Sequence, residues 1–102
     1  MEYMLVLQLS GSDPAEFDEL VELEDAVREV IGDAGTVDGH DIGSGERNIF
    51  IFTEAPQVTF EAVSCVFRDR GLMNDLRAGY RVVGEDDFLP LYPSGLQIFA
   101  VI

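Results

Sequence analysis

The sequence of 102 residues contains no lysine, and its six basic residues are all arginines. These six stand against 20 acidic residues, which gives a formal net charge of -14 at neutral pH. A surface of this sign repels phosphate backbones and anionic lipid headgroups, because the long-range field opposes their approach. The charge therefore disfavours binding to nucleic acid or membrane. It is typical of a charge that serves solubility alone or adaptation to a salty cytoplasm, and any partners that it favours are basic proteins, cations or small neutral ligands.

Cysteine and histidine each occur once, as Cys65 and His40. A single cysteine cannot form an intramolecular disulfide, and a single histidine excludes a site built from several imidazole ligands. Cys65 lies within a predicted helix with no histidine nearby in sequence, which is typical of a packed thiol rather than a nucleophile. One imidazole with carboxylates could still hold a divalent ion. We nevertheless predict no catalytic residues, no metal site and no cofactor.

Long hydrophobic runs are also missing. No apolar stretch approaches the ~20 residues needed to cross a bilayer. The amino terminus, MEYMLVLQLS, opens with an acidic residue and lacks the basic flank and cleavage site of a signal peptide. These absences predict a cytoplasmic location, and the hydrophobic content of 47% predicts one ordered domain over residues 1–102.

The hydrophobic residues that are present predict a β-hairpin in the middle of the chain. The segment from Thr36 to Thr53 contains a weak strand, a glycine-rich reversal at Gly43 to Glu46, and a second strand centred on Ile49 to Phe52. Glycine and polar residues in the first strand suit the edge of a sheet. The uninterrupted apolar run of the second strand predicts an interior position that is covered on both faces.

Helical patterns flank the hairpin on both sides. The first helix has a typical start at Asp13-Pro14-Ala15-Glu16, with Asp13 as the N-cap, and a typical stop at Gly32. The second helix opens at Pro56 and ends before Gly71. The outward face of the first helix is acidic and carries Asp18, Glu19, Glu22, Asp25 and Glu29.

One strand precedes the first helix and another follows the second, so the predicted element order is β-α-β-β-α-β. This is the order of the ferredoxin-like sandwich, an α+β fold in which two helices cover one face of an antiparallel sheet. Beyond it, Phe88 to Tyr92 forms at best an edge strand, because Pro90 cannot donate to a ladder. The apolar terminus, Leu96 to Ile102, predicts an extra strand or extension that is covered by something.

Two helices on one face leave large apolar side chains of the inner strands exposed on the opposite, open face. Either the segment Leu96 to Ile102 covers this face of its own sheet, or a second copy of the chain does so. We favour a homodimer formed through the open face, with the terminal segment taking part in the contact.

The densest polar cluster spans the hairpin turn and supplies a candidate ligand site. Its members are His40, Asp41, Ser44, Glu46, Arg47 and Asn48. Neighbouring glycines permit a ligand to approach closely, but they equally supply the positive φ values of a turn. In a regular strand His40 and Asp41 point to opposite faces, which argues against a His-Asp catalytic pair.

The run VDGHDIGSGERNIFIFT, together with the helix start at Pro56 and the late Leu91-Tyr92-Pro93, resembles a group of small uncharacterised bacterial proteins with a ferredoxin-like outline. The resemblance implies the fold and a bacterial source, and it implies no activity. In its element order the chain is also similar to ACT-type ligand-sensing domains and to dimeric antibiotic-monooxygenase-like barrels. Fold alone does not fix function.

Three functional hypotheses follow from the sequence. The leading one is a small, acidic, non-enzymatic interaction module of immunity or inhibitor type, which binds a basic protein through its carboxylate-rich helices. The alternative is an ACT-like domain that senses a small ligand near the hairpin or a dimer interface. The least favoured is an enzyme that uses His40 as an acid or base in a cavity on the open sheet face.

Overall fold

A computed structural model describes residues 1–101, so Ile102, the last residue of the predicted terminal segment, lies outside the described residues. Within residues 1–101 the elements are β1 (Tyr3–Ser10), α1 (Ala15–Ile31), β2 (Thr36–Gly43), β3 (Glu46–Thr53), α2 (Pro56–Arg68), β4 (Arg77–Val82) and β5 (Leu89–Tyr92). A 3₁₀ turn, Gly32–Ala34, joins α1 to β2. The element order therefore matches the predicted one, with β5 added.

The strands form one open antiparallel sheet in the order β2-β3-β1-β4-β5. Leu5 at the centre of β1 pairs with Ile51 of β3 on one side and with Tyr80 of β4 on the other. The predicted α+β class and antiparallel sheet are confirmed, as are the interior position of β3 and the edge position of β2. The segment with Pro90 forms the other edge, β5.

The main core lies between both helices and one face of the sheet. Leu5, Leu7 and Leu9 of β1 alternate onto this face, as the period of two in a strand requires. The helices bury Leu20, Leu23, Val27, Ile31, Val63, Val66 and Phe67 against them. Each fully buried side chain of this size contributes about 1.5–3 kcal/mol relative to an exposed one. Packing on this face therefore fixes both helices on the same side.

The start of α1 differs from the prediction. Pro14 occupies the N-cap position and no side chain caps the helix there, so the assignment of Asp13 as a capping side chain is wrong. The reverse bond is present, because the Glu16 carboxylate accepts the backbone N–H of Asp13 at 3.0 Å. The predicted stop is confirmed: Gly32 follows the helix with a φ of +53°, a value that glycine adopts at little cost.

The open face of the sheet is covered by the C-terminal segment, residues 96–101, of the same chain. Phe99 is 6% exposed and packs with Met4 and Val6 of β1. Its ring lies on Gly79 of β4, where a Cβ atom would overlap the ring. The side-chain amide of Gln8 donates to the carbonyl of Ala100 at 3.0 Å. Of the two alternatives for this segment, the chain uses its own sheet.

The helices of the described part of the chain are too short or too polar to span a membrane.

Candidate functional site

The six residues predicted as a ligand site do not come together in the structure. His40 and Arg47 lie on the helix-covered face of the sheet, and Glu46 and Asn48 lie on the opposite face. Asp41 and Ser44 are exposed, and Ser44 occupies the hairpin turn with a φ of +54°. They are best described as three separate features, namely an edge-strand contact, an ion-pair cluster and a polar network.

His40 connects the edge strand β2 to α1. Its Nδ1 lies 3.0 Å from a carboxylate oxygen of Glu24, and its ring meets that of Phe17 edge-on at 5.6 Å. Glu24 is only 5% exposed, and its other oxygen accepts a bond from Arg28 at 3.0 Å. A shift in register between Val37 and Gly39 places Val37 and His40 on the same face despite their odd separation. The imidazole is therefore engaged in a structural contact.

Arg47 holds the first half of α1 against the end of β1. Its side chain is 4% exposed, and it forms ion pairs with Glu16 at 3.3 Å and with Glu19. Nη2 also donates to the Ser10 carbonyl at 2.8 Å, whereas the buried Nε has no hydrogen-bond partner within residues 1–101. Two carboxylates already neutralise this guanidinium, so it is a poor site for an anionic ligand.

Glu46 and Asn48 belong to a buried polar network beneath the C-terminal segment. The Gln8 amide donates to Asn48 Oδ1 at 3.1 Å, and Asn48 Nδ2 donates to Glu46 at 3.4 Å. Gln8 and Asn48 are each 1% exposed. Because these polar groups satisfy one another and the Ala100 carbonyl, the network anchors the terminal segment to the polar end of the open face.

A line of exposed carboxylates, here called the carboxylate ridge, runs along the outer face of α1. It consists of Asp18, Glu22, Asp25 and Glu29, all exposed to solvent. Within residues 1–101 the ridge forms one ion pair, between Asp25 and Arg28 at 3.4 Å. The apolar side chains of Phe17 and Val30 lie at the two margins of the buried stripe of α1, one on each side of the ridge, and are 42% and 43% exposed. Glu19, predicted on the same face, instead contacts Arg47.

A concave surface, here called the acidic cleft, is a further feature that the sequence does not predict. It encloses about 520 Å³ at the end of the sheet where α1 finishes and α2 begins. Three exposed carboxylates line it, from Glu2, Asp33 and Glu54. These residues are far apart in sequence, so no local motif marks the cleft. Only the pairing of strand ends in the folded chain brings them to one place.

Two buried threonines hold the walls of the acidic cleft together. Thr53 at the end of β3 and Thr59 in the first turn of α2 have their hydroxyls 2.7 Å apart, and each lies 2.9 Å from the carbonyl of Ala34. Thr53 also accepts the N–H of Ala55 at 3.0 Å. The two hydroxyl protons can form two of these three hydrogen bonds at any moment, and they tie the α1–β2 connection to the start of α2. The only sequence cue is a hydroxyl residue on an otherwise buried face.

These features describe a small, acidic α+β protein with an open antiparallel sheet. Comparisons with models of protein families, with curated proteins and with solved structures find no match. The basis for a functional assignment is therefore the surface and packing of the chain itself.

Proposed function

We propose that the protein is a non-enzymatic interaction module of immunity or inhibitor type that binds a basic protein partner through the carboxylate ridge of α1. The exposure of the four ridge residues carries this proposal. Their spacing of four, three and four residues keeps them on one face of the helix. The ridge is ~16 Å long, because Asp18 and Glu29 are separated by eleven rises of ~1.5 Å.

The charged face of α1 has exposed apolar side chains on both sides of it. The net charge of -14 steers a basic protein toward the molecule, and the ridge supplies carboxylates that can pair with its arginines or lysines. Phe17 and Val30 add apolar area beside the ridge, and such side chains supply much of the binding free energy in protein interfaces. An exposed helix with acidic and apolar residues side by side suits a protein partner better than it suits a small ligand.

The position of His40 favours a binding role over an enzymatic one. The imidazole lies against α1 rather than on the open sheet face, and Glu24 engages its Nδ1. The open face itself is filled by Phe99 and its neighbours. A cavity on that face with His40 as acid or base is therefore the weakest of the three hypotheses.

Two further assignments are part of this proposal. We propose a ferredoxin-like architecture for the first four strands, because their order β2-β3-β1-β4 and the shared face of both helices fit that sandwich. We also propose a homodimer formed through the open face across the C-terminal segment that covers it, because Ile98 of this segment is 79% exposed and Phe50 and Phe52 of β3 are only half-buried.

Neutralising the ridge tests the proposed function. The variant Asp18→Asn, Glu22→Gln, Asp25→Asn, Glu29→Gln should capture its partner from a cell lysate at least tenfold less than the unmodified chain, because the complementary charges are lost. The measurement is quantitative mass spectrometry of captured proteins at about 50 mM and about 500 mM salt, and capture by the unmodified chain should fall at the higher salt.

A control variant with the same change in net charge distinguishes an effect of the ridge from an effect of the overall negative charge. The variant Glu61→Gln, Asp69→Asn, Asp86→Asn, Asp87→Asn removes the same number of charges from exposed positions elsewhere. It should retain most of the capture. If both variants lose capture equally, the ridge is not the binding surface, and if neither loses it, charge does not drive the interaction.

A further inference from the structure

A small apolar pocket, here called the tyrosine pocket, opens beside the first turn of α2. It encloses about 240 Å³ and is lined by Tyr3, Ala55, Pro56, Gln57, Val58 and Tyr80. The two tyrosine rings stand nearly perpendicular, with centroids 5.7 Å apart, and Val58 at the rim is 62% exposed. Pockets for drug-sized molecules measure about 300–1,000 Å³, so this one suits a single apolar side chain.

The tyrosine pocket adjoins the acidic cleft. Ala55 lines both, and Glu2 of the cleft is the chain neighbour of Tyr3 in the pocket. The carboxylates of Glu2, Asp33 and Glu54 form no ion pair within residues 1–101. An apolar pocket and an unneutralised anionic cleft therefore lie next to one another on the same end of the sheet.

The walls of both cavities are held in place by bonds within the chain. The N–H of Val83 donates to the carbonyl of Glu2 at 3.0 Å and thereby fixes the start of β1 beside the end of β4. The hydroxyls of Thr53 and Thr59 fix the opposite wall through the Ala34 carbonyl. A preformed surface of this kind loses little conformational freedom when a chain binds to it.

We propose that these adjoining cavities form one docking site for an extended basic peptide segment of a protein partner. An apolar side chain such as leucine enters the tyrosine pocket, and an arginine or lysine one or two positions away reaches the acidic cleft. Charge complementarity selects this occupant, since three carboxylates beside an apolar pocket disfavour an acidic or purely apolar segment. The assignment rests on the proposed function, because it gives the same basic partner a second point of contact.

The test is a titration of the intact ¹⁵N-labelled chain with the peptide N-acetyl-Leu-Arg-Arg-amide, followed by NMR. Amide shifts should concentrate at the lining residues Tyr3, Ala55, Val58 and Tyr80. The peptides N-acetyl-Gly-Arg-Arg-amide and N-acetyl-Leu-Gln-Gln-amide should each bind at least threefold more weakly, because one lacks the apolar anchor and the other lacks the charge. The double variant Asp33→Asn, Glu54→Gln alters exposed positions and should weaken binding of the first peptide by a similar factor.

Shifts at the carboxylate ridge instead of the pocket, equal binding of all three peptides, or no shifts at all would overturn the docking site. The outcome is separable from that of the proposed function. If the peptide binds the pocket and the ridge variant still captures its partner, the docking site is supported and the ridge is refuted as the binding surface. If capture depends on the ridge and the peptide causes no shifts at the pocket, the proposed function is supported and the docking site is refuted.

Discussion

At the scale of single residues, the buried charged side chains decide most about how α1 is positioned on the sheet. Three charged residues are buried, namely Glu24, Glu46 and Arg47, at 5%, 6% and 4% exposure. Glu24 and Arg47 are accompanied by groups of opposite charge or by His40, as burial of charge requires, and Glu46 accepts a hydrogen bond from Asn48. Apart from Arg28, the partners of Glu24 and Arg47 lie on a different element, so these contacts define how α1 is seated on the sheet.

Removing the Arg47 charge should destabilise the fold. Arg47→Met leaves Glu16 and Glu19 without their cation, and we expect the free energy of unfolding to fall by about 2–3 kcal/mol. The loss is below that of a fully buried pair, because both glutamates are partly exposed and can hydrate. Urea denaturation followed by far-UV circular dichroism measures it.

The control for this prediction is Arg77→Met, at an exposed arginine of β4. It should change the free energy of unfolding by less than about 0.5 kcal/mol, as surface substitutions usually do. Equal effects of the two substitutions would contradict a specific role for the Arg47 ion pairs.

Residue-scale detail was only partly predictable from the sequence. The spacing of apolar residues in the first helix predicts a buried stripe of Phe17, Leu20, Val21, Val27, Val30 and Ile31. Leu20, Val27 and Ile31 are buried, Val21 is partly buried, and Phe17 and Val30 are exposed, whereas the buried Leu23 is not in the predicted set. Phe17 lies at the margin of the buried stripe, where packing of the neighbouring elements decides exposure. Spacing alone cannot show that Glu24, which lies in the buried stripe, contacts His40 of the edge strand β2.

At the scale of elements, strands and helices were predicted well because hydrophobic period and glycine stops are local signals. The interior position of β3 followed from its unbroken apolar run, and the edge position of β2 from its glycine and polar residues. The shift in register between Val37 and Gly39 was not predictable, because a bulge depends on how the partner strand is paired. The six residues of the candidate ligand site are divided between the two faces of the sheet and the hairpin turn, because neighbours along a strand alternate between faces.

The contact between the C-terminal segment and β4 gives a matched pair of substitutions. Gly79→Ala adds a Cβ where the Phe99 ring lies, and we expect a loss of about 1–3 kcal/mol in the free energy of unfolding, as overpacking typically costs. Gly39→Ala adds the same atom in β2, where nothing lies within 4 Å. It should be neutral or stabilise by up to about 1 kcal/mol, because alanine restricts the unfolded chain.

Thermal unfolding of both variants, together with amide exchange of Met4 and Val6, measures this prediction. The two amides should exchange faster in Gly79→Ala than in Gly39→Ala if the segment is displaced. Indistinguishable stabilities would mean that the segment yields to the added methyl without cost.

At the scale of the whole molecule, the two faces of the sheet are covered differently. One carries both helices over a continuous core, whereas the other carries a segment without regular structure that buries a small cluster of Met4, Val6 and Phe99. The sequence predicted that the terminal segment would be covered, because its apolar residues required it. Whether the segment would use its own sheet or a second one required the structure, since both arrangements bury the same side chains.

The proposed homodimer has a direct test at Ile98. This side chain is 79% exposed, so Ile98→Asp should leave the fold intact while placing a charge in any interface on the open face. Analytical ultracentrifugation should show a dimer for the unmodified chain and at least tenfold weaker association for the variant. Val58→Asp, a 62% exposed position on α2, should associate as the unmodified chain does. A monomeric unmodified chain at all concentrations would rule the dimer out.

The edges of the sheet limit how the molecule can associate. The outer strand β2 carries a bulge and the carboxylates of Asp38 and Asp41, and the other outer strand, β5, has four residues and includes Pro90. Bulges, edge charges and proline each oppose the addition of a further strand. Growth of the sheet from copy to copy is therefore disfavoured at both ends. We expect concentrated protein not to form continuous β-structure, and we expect the proposed partners to contact side chains rather than to add a strand.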